Sequence, residues 1–340
     1  MGSKPLQEKA LSVKEIAARA NVSVATVSRV INRKGNVLPK TEARVQEVIA
    51  QSNYQPNMIA RSLKTSKTPI VGIIVPDISG EFYNTMVQKL QTGLLEKQYA
   101  TFILNTNKSE DIQKEYREWQ SLLHVSGWLV LDSAVDFGTD GSIPTIYINW
   151  PDAPAGEKTV TISSDPVLGG RLAGRELLLS GCRNIAVLTS SSPLELRPEG
   201  FLQAVKENND PGVAVMLRYT HTKNVSFSGG YELMADTLRV FPDMDGVFVT
   251  ADRFVPGVLR ALKEAGRSVP KDVKVVGYDD TPIASWLSGG FTTVRQEMDR
   301  MCTMAIDAMM RLLEGKPVQE KRTVIPGTLV RRRTTGPLSP

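Results

Sequence analysis

From Pro69 onward, short apolar runs alternate with stretches of helical period, and this alternation restricts the chain to a few architectures. The apolar runs predict strands at 70–75, 101–105, 128–132, 145–148, 160–163, 185–189, 213–217, 247–250 and 273–278. Between them, helical patterns fill 82–97, 112–123, 167–179, 199–207, 229–240, 254–265 and 296–313. Strands separated by helices form parallel sheets through right-handed crossovers. There are too many strands for one small sheet, so the expectation is an α/β body of two doubly wound lobes with a cleft between them. In such sheets ligands sit beyond the carboxyl ends of the strands.

The first 67 residues have a different texture. They carry 12 Lys and Arg against 4 Asp and Glu, a net of +8 within a chain whose total is +5. A basic head on a slightly acidic body points to an anionic partner, nucleic acid being the usual one. Val13, Ile16, Ala17 and Ala20 share a helical face, Asn21-Val22-Ser23 interrupts it, and a second helix carries Val27, Val30 and Ile31. A third helix runs from Thr41, its expected N-cap, through Val45, Val48 and Ile49. Two short helices joined by a tight turn, with small Ala17 at the contact and Val22 and Val27 in the angle, form a helix-turn-helix pattern. Its second helix would offer Val24, Ala25, Ser28 and Arg29 to base edges in the major groove. Arg29 suits a bidentate contact to guanine, and Val24 and Ala25 suit a thymine methyl. Lys14, Ser23, Thr26, Asn32 and Thr41 are candidates for backbone contacts that set register. A helical hairpin without a DNA role fits the same pattern.

Motifs in order along the chain narrow this choice. "VKEIAARANVSVATVSRVIN", "KTEARVQEVIAQSNYQPNMIARSL" and "VGIIVPDISGEFY" are followed by "SSDPVLGGRLAGRELLLSGCRNIAVL", "ELRPEGFLQAV", "VPKDVKVVGYDDTPIA" and "FTTVRQEMDRM". In these the chain resembles the lactose-repressor family of transcriptional regulators over nearly its whole length. The resemblance implies a homodimer on double-stranded operator DNA. It also implies a head at 1–55, a hinge helix and linker at 56–68 and an effector-binding core at 69–340. The core's N-lobe takes 69–163 and 295–325, and its C-lobe takes 164–294 and 326–340. In the hinge, Asn57, Ala60 and Leu63 are implied DNA contacts, with Leu63 at the position of a minor-groove wedge. An isolated helix this short is unstable in water, and the resemblance implies that the hinge orders only on DNA.

The same resemblance places a small-molecule effector between the lobes. The implied contacts are Asp77, Phe82, Tyr83, Asn149, Ser164, Asp165, Arg197, Asp252, Asp279 and Gln296. Planar amides, carboxylates and a guanidinium beside rings suit a sugar or sugar phosphate. Several of these residues have structural readings too: an Arg197–Asp279 salt bridge, core packing for Phe82 and Tyr83, helix capping for Asp165. Ala251 and Val225 depart from the sugar-binding pattern of the family.

No catalytic constellation stands out. His124 and His221 have no nucleophile motif or ligand spacing beside them, so neither an enzyme nor a metal or cofactor site is expected. Gly169-Gly170 is a weak match to dinucleotide loops. Cys182 and Cys302 read as buried small hydrophobes. The polar start lacks a secretory core and no apolar run is long enough for a membrane, so a cytoplasmic protein is expected. Two further readings remain: a two-lobed sugar receptor without DNA function, and a regulator controlled by a protein co-effector. Arg331-Arg332-Arg333, after a strand at 323–330, reads as a solvated edge.

Overall fold

The computed structural model describes residues 11–31, 37–52, 69–107, 109, 111, 112, 114, 115, 125–131, 142–190, 196–220 and 225–336. The chain divides at Thr68 and Pro69 into two compact units.

The first unit contains α1 (Val13–Arg19), α2 (Val24–Ile31) and α3 (Pro39–Ala50). Ser12 caps α1 in a reciprocal box: its hydroxyl accepts from Glu15 N, and the Glu15 carboxylate accepts from Ser12 N at 2.6 Å. Asn21 takes a left-handed φ of +50°, which turns the chain out of α1. Ile16, Ala17, Ala20, Val27, Val30 and Val45 bury together, with Val22 packed against them. The expected cap at Thr41 is displaced. Leu38 stands at the N-cap and Pro39 opens α3, because a fixed φ and a missing N–H suit a first helical position.

The second unit holds two six-stranded sheets. Lobe 1 comprises β1 (Ile70–Val75), α4 (Glu81–Glu96), β2 (Ala100–Asn105), β3 (Gly127–Val130), β4 (Thr145–Ile148) and β5 (Thr159–Ser164). Lobe 2 comprises α5 (Pro166–Leu179), β6 (Asn184–Thr189), α6 (Arg197–Asn208), β7 (Ala214–Tyr219), α7 (Phe227–Val240), β8 (Gly246–Val249), α8 (Val255–Glu264), β9 (Lys274–Asp279), α9 (Ile283–Trp286) and β10 (Thr292–Arg295). The chain then returns to lobe 1 with α10 (Met298–Leu313) and β11 (Arg322–Ile325), and ends in lobe 2 with β12 (Thr328–Val330). The strand orders are β11-β5-β4-β3-β1-β2 and β12-β10-β9-β8-β6-β7. Every pairing is parallel except β10 with β12.

Parallel strands covered on both faces must be apolar on both. In β1, Val71, Ile73 and Val75 face a core shared with α4 and α10, while Ile74 faces Trp128, Val130 and Tyr147 on the other side. Each such buried aliphatic contributes roughly 1.5–3 kcal/mol. In lobe 2, α7 and α8 cover one face and α5 and α6 the other.

The expected alternation is present, with three differences. Most of the helix expected at 112–123 lies outside the described residues. Strand β10 and helix α9 were not expected. The run at 323–330 is two strands rather than one: it breaks at Pro326-Gly327 and its halves join different sheets. Proline lacks the donor that a continuous ladder needs.

Candidate nucleic-acid interface and ligand cleft

In the first unit, α2 is amphipathic by position. Val27 and Val30 plug the core, whereas Val24, Ala25 and Arg29 are exposed and Ser28 is half-buried. Lys14 is exposed on α1. Ser23 and Thr26 do a local job first: the Ser23 hydroxyl accepts from Thr26 N at 3.1 Å and shares a hydrogen bond with the Thr26 hydroxyl at 2.9 Å. They fix the start of α2. Thr41 is half-buried in the first turn of α3. Asn32, Asn57, Ala60 and Leu63, with the hinge, lie outside the described residues.

In the second unit the candidate groups stand at strand ends. Asp77 follows β1, Asn149 follows β4, Ser164 ends β5, Asp252 follows β8, Asp279 ends β9 and Gln296 follows β10. In both sheets the strand order reverses beside the first strand, β1 in lobe 1 and β6 in lobe 2, which is where doubly wound sheets open a crevice.

Arg197, Asp279 and Gln296 form one cluster. Gln296 Nε2 donates to Asp279 Oδ1 at 2.6 Å, and the nearest Arg197 nitrogen is 3.9 Å from the same oxygen. The guanidinium lies 4.0 Å from the centre of the Tyr278 ring and donates to the Thr250 carbonyl. Gln296 Oε1 is buried without a hydrogen-bond partner, so the cluster presents an open acceptor. Asp279 adopts φ +119°, a left-handed strain that aims its carboxylate off the strand end.

A glycine pair positions Arg197. A Cβ at Gly170 would stand 1.9 Å from the Arg197 carbonyl, and one at Gly200 would stand 1.9 Å from the Val167 carbonyl. Helices α5 and α6 therefore meet backbone to backbone, which is the role of Gly170 instead of a nucleotide loop.

Asn149 and Ser164 form a second, smaller cluster: Asn149 Oδ1 accepts from the Ser164 hydroxyl at 2.7 Å. Tyr83 is partly buried, edge-on to Phe82 with ring centres 5.2 Å apart.

Four expected contacts are otherwise engaged. Asp165 caps α5, accepting from Leu168 N at 2.8 Å. Phe82 belongs to the lobe 1 core with Met86 and Leu90, since a ring at the start of an inward-facing helix gains more by burial. Asp252 is fully buried, accepting from Thr281 N at 2.9 Å and from the Thr293 hydroxyl at 2.7 Å. Burial, then the nearby charge of Asp279, pushes its carboxyl well above the usual range. Asp77 accepts from Arg253 at 2.8 Å and from the Ser79 N–H and hydroxyl. Its partial burial acts upward, but Ser79 and Arg253 outweigh it and hold the carboxyl below its ordinary value.

The sequence reading missed Arg253, Thr281 and Thr293. Arg253 directly follows Asp252, but its partner is 176 residues away and no local pattern marks it. Of the C-terminal arginines, Arg331 and Arg333 are exposed as expected of a solvated edge and Arg332 is half-buried, but two of them also make ion pairs that were not expected. Arg331 pairs with buried Glu176 at 2.8 Å and Arg332 with buried Asp280 at 2.6 Å, because each buried carboxylate needs a cation. Cys182 and Cys302 are buried, which pushes each thiol up to about 12. Among the described residues no cluster of His, Cys, Asp and Glu could hold a metal ion, and no helix is long and apolar enough to cross a membrane. Both histidines lie outside the described residues.

Comparison with known proteins agrees in both units. Residues 12–57 match the bacterial regulatory proteins, lacI family, and residues 175–335 match a periplasmic binding protein-like domain. The chain is 30% identical over 331 residues to the ribose operon repressor of Halalkalibacterium halodurans, covering 95% of this chain and 97% of that one. Its structure is similar to the lac repressor dimer bound to operator and the anti-inducer ONPF, with a TM-score of 0.83, 23% identity, and coverage of 97% and 100%. It is also similar to a LacI family transcriptional regulator from Enterococcus faecium with bound ribose, with a TM-score of 0.70, 26% identity, and coverage of 79% and 100%.

Proposed function

The chain belongs to the lacI family of bacterial regulatory proteins, so it is a DNA-binding transcriptional regulator with an effector-binding core and not an enzyme, and from that premise we propose a finer reading of both units. It is a repressor that acts as a homodimer on double-stranded operator DNA in the cytoplasm. Residues 1–55 form the reading head, 56–68 the hinge and 69–340 the core. Arg29 reads guanine, Val24 and Ala25 meet thymine methyls, Ser28 supports them, and Lys14, Ser23, Thr26 and Thr41 fix register on the backbone. The partition of α2 supports this, because Val27 and Val30 are spent on the core while the exposed residues are Val24, Ala25 and the one guanidinium of the helix, Arg29.

The effector is a neutral sugar of the ribose class. The observation that carries this is the cluster of Asp279, the open Gln296 acceptor and Arg197, which together accept from and donate to vicinal hydroxyls. Asn149, Ser164 and Tyr83 complete the contacts from lobe 1. The Asp279 carboxylate, which accepts from Gln296, stands at the lobe 2 strand end, and a carboxylate there disfavours a phosphate dianion. The ribose-bound relative supports the same class.

Two measurements test the reading. A ligand that binds the native state raises the melting temperature, so ribose should raise it and ribose 5-phosphate should not; a shift with the phosphate alone overturns the neutral-sugar reading. Arg29→Ala should lose about 1–3 kcal/mol of preference for operator over random duplex while retaining salt-dependent binding to both. Fluorescence anisotropy against both duplexes reads it, and unchanged preference removes Arg29 from the interface.

A further inference from the structure

We propose that Arg253 is a latch between the lobes of the core and sets how readily the cleft closes on its ligand. Its Nη1 donates to Asp77 Oδ2 at 2.8 Å, and its Nη2 donates to the Ser79 hydroxyl at 2.9 Å. Asp77 and Ser79 belong to the loop between β1 and α4 of lobe 1, whereas Arg253 belongs to the turn between β8 and α8 of lobe 2. Beside it, Glu81 of lobe 1 accepts from Ile283 N of lobe 2 at 3.2 Å.

Both halves of the latch are organised within their own lobes. Ser79 donates through its N–H and its hydroxyl to Asp77 Oδ1, at 2.8 and 2.6 Å, which leaves Oδ2 to face Arg253. On the other side, Arg253 is flanked by two fixed residues. Asp252 is buried and held by Thr281 and Thr293, and the Phe254 carbonyl would be 2.2 Å from a Cβ at Gly230. Gly80 leaves room for the guanidinium, since a Cβ there would stand 3.0 Å from Nη1.

Among the described residues the chain crosses between the lobes at three places, near 164–165, 295–297 and 325–327. The Arg253 contacts stabilise neither lobe by itself, because each of them spans both. An interaction present in one arrangement of the lobes and absent in the other shifts the equilibrium by its full strength. The pair is 28% and 29% exposed, so water screens it and the bias is modest, about two- to fivefold. This inference rests on the cleft being the effector site.

The test is the distance between spin labels at Lys97→Cys in lobe 1 and Lys263→Cys in lobe 2. It uses the full chain, with labelled subunits diluted into excess unlabelled protein. Both positions are exposed, and the native thiols are buried. Without sugar, Arg253→Gln and Asp77→Asn should each move population towards longer distances, and each should weaken ribose binding about two- to fivefold. The exchange Asp77→Arg with Arg253→Asp should recover both. Single variants with the wild-type distance distribution, or an exchange as open as the singles, overturn the latch. The distances are read without sugar, so they decide the latch even if ribose leaves the wild-type melting temperature unchanged. That second result would instead remove the ligand reading.

Discussion

Lobes 1 and 2 repeat one strand order, β2-β1-β3-β4-β5 and β7-β6-β8-β9-β10, yet they wall the cleft differently. In lobe 2 the helix starts that carry cleft residues are fixed backbone to backbone. Gly170 and Gly200 seat α6 on α5, and Gly230 and Gly257 seat the 252–254 turn and α8 on α7, with added-Cβ distances of 1.9, 1.9, 2.2 and 1.9 Å to main-chain oxygens. The comparable contact in lobe 1, α4 on α10, is Gly93 against the end of the Ile306 side chain. Arg197, Asp279 and Asp280 stand on the fixed wall, whereas the lobe 1 side offers the neutral Asn149 and Ser164 beside Asp77, whose carboxylate is already paired with Arg253. A charged hydrogen-bonding group loses most when misplaced, so it belongs where the backbone cannot shift.

The largest expected effect breaks that contrast directly. Gly200→Ala drives a methyl into the Val167 carbonyl, which has no flexible end to yield, and should cost at least about 3 kcal/mol. Gly93→Ala meets only Ile306 Cδ1, which can turn away, and should cost under about 1 kcal/mol. Urea unfolding of both variants checks this; equal losses would mean that lobe 2 is no stiffer than lobe 1.

Next comes the chemistry on the two walls. Asp279→Ala removes the acceptor of Gln296 and the nearest carboxylate to Arg197, leaving buried donors unmatched. Ribose binding should weaken by about 1.5–3 kcal/mol, while operator affinity without sugar is retained. Asn149→Ala removes one neutral contact from lobe 1 and should cost about 1 kcal/mol. Titration calorimetry on both variants sharpens the comparison, and a larger loss at Asn149 would reverse it.

The strand positions and the helix-turn-helix were legible because periodicity is local: β1 and β4 run over 70–75 and 145–148, the expected spans, and α2 begins at Val24 as expected. The Ser12–Glu15 capping box was legible in the same way and went unread. The site was legible only as a set of strand ends. Whether Asp252 faces ligand or core depends on Thr281 and Thr293, and whether Asp77 is open depends on Arg253, all distant in sequence. The Pro326-Gly327 break was visible as residues, but its consequence, a strand in each sheet, is a property of the tertiary fold.

The smallest effects separate the two aspartates by sign. Asp252 of lobe 2 has a carboxyl pKa raised above the ordinary 3.8, by burial first and then by Asp279. Between that value and the raised one, the native state binds the proton that the unfolded chain has released. Stability contributed here is therefore full at acid pH and is lost as pH rises through the window. Asp77 of lobe 1 is the reverse. Partial burial acts upward, but Ser79 and Arg253 take its carboxyl below 3.8, so its contribution is present above that value and is lost as pH falls through the lowered one. Asp252→Asn should flatten the decline of stability above about pH 4, and Asp77→Asn should flatten the decline below it by a few tenths of a kcal/mol up to about 1 kcal/mol. Urea midpoints from about pH 3 to about pH 7 resolve the two slopes. If both variants flatten the same arm, the two carboxylates share one environment and the contrast between the walls fails at this pair.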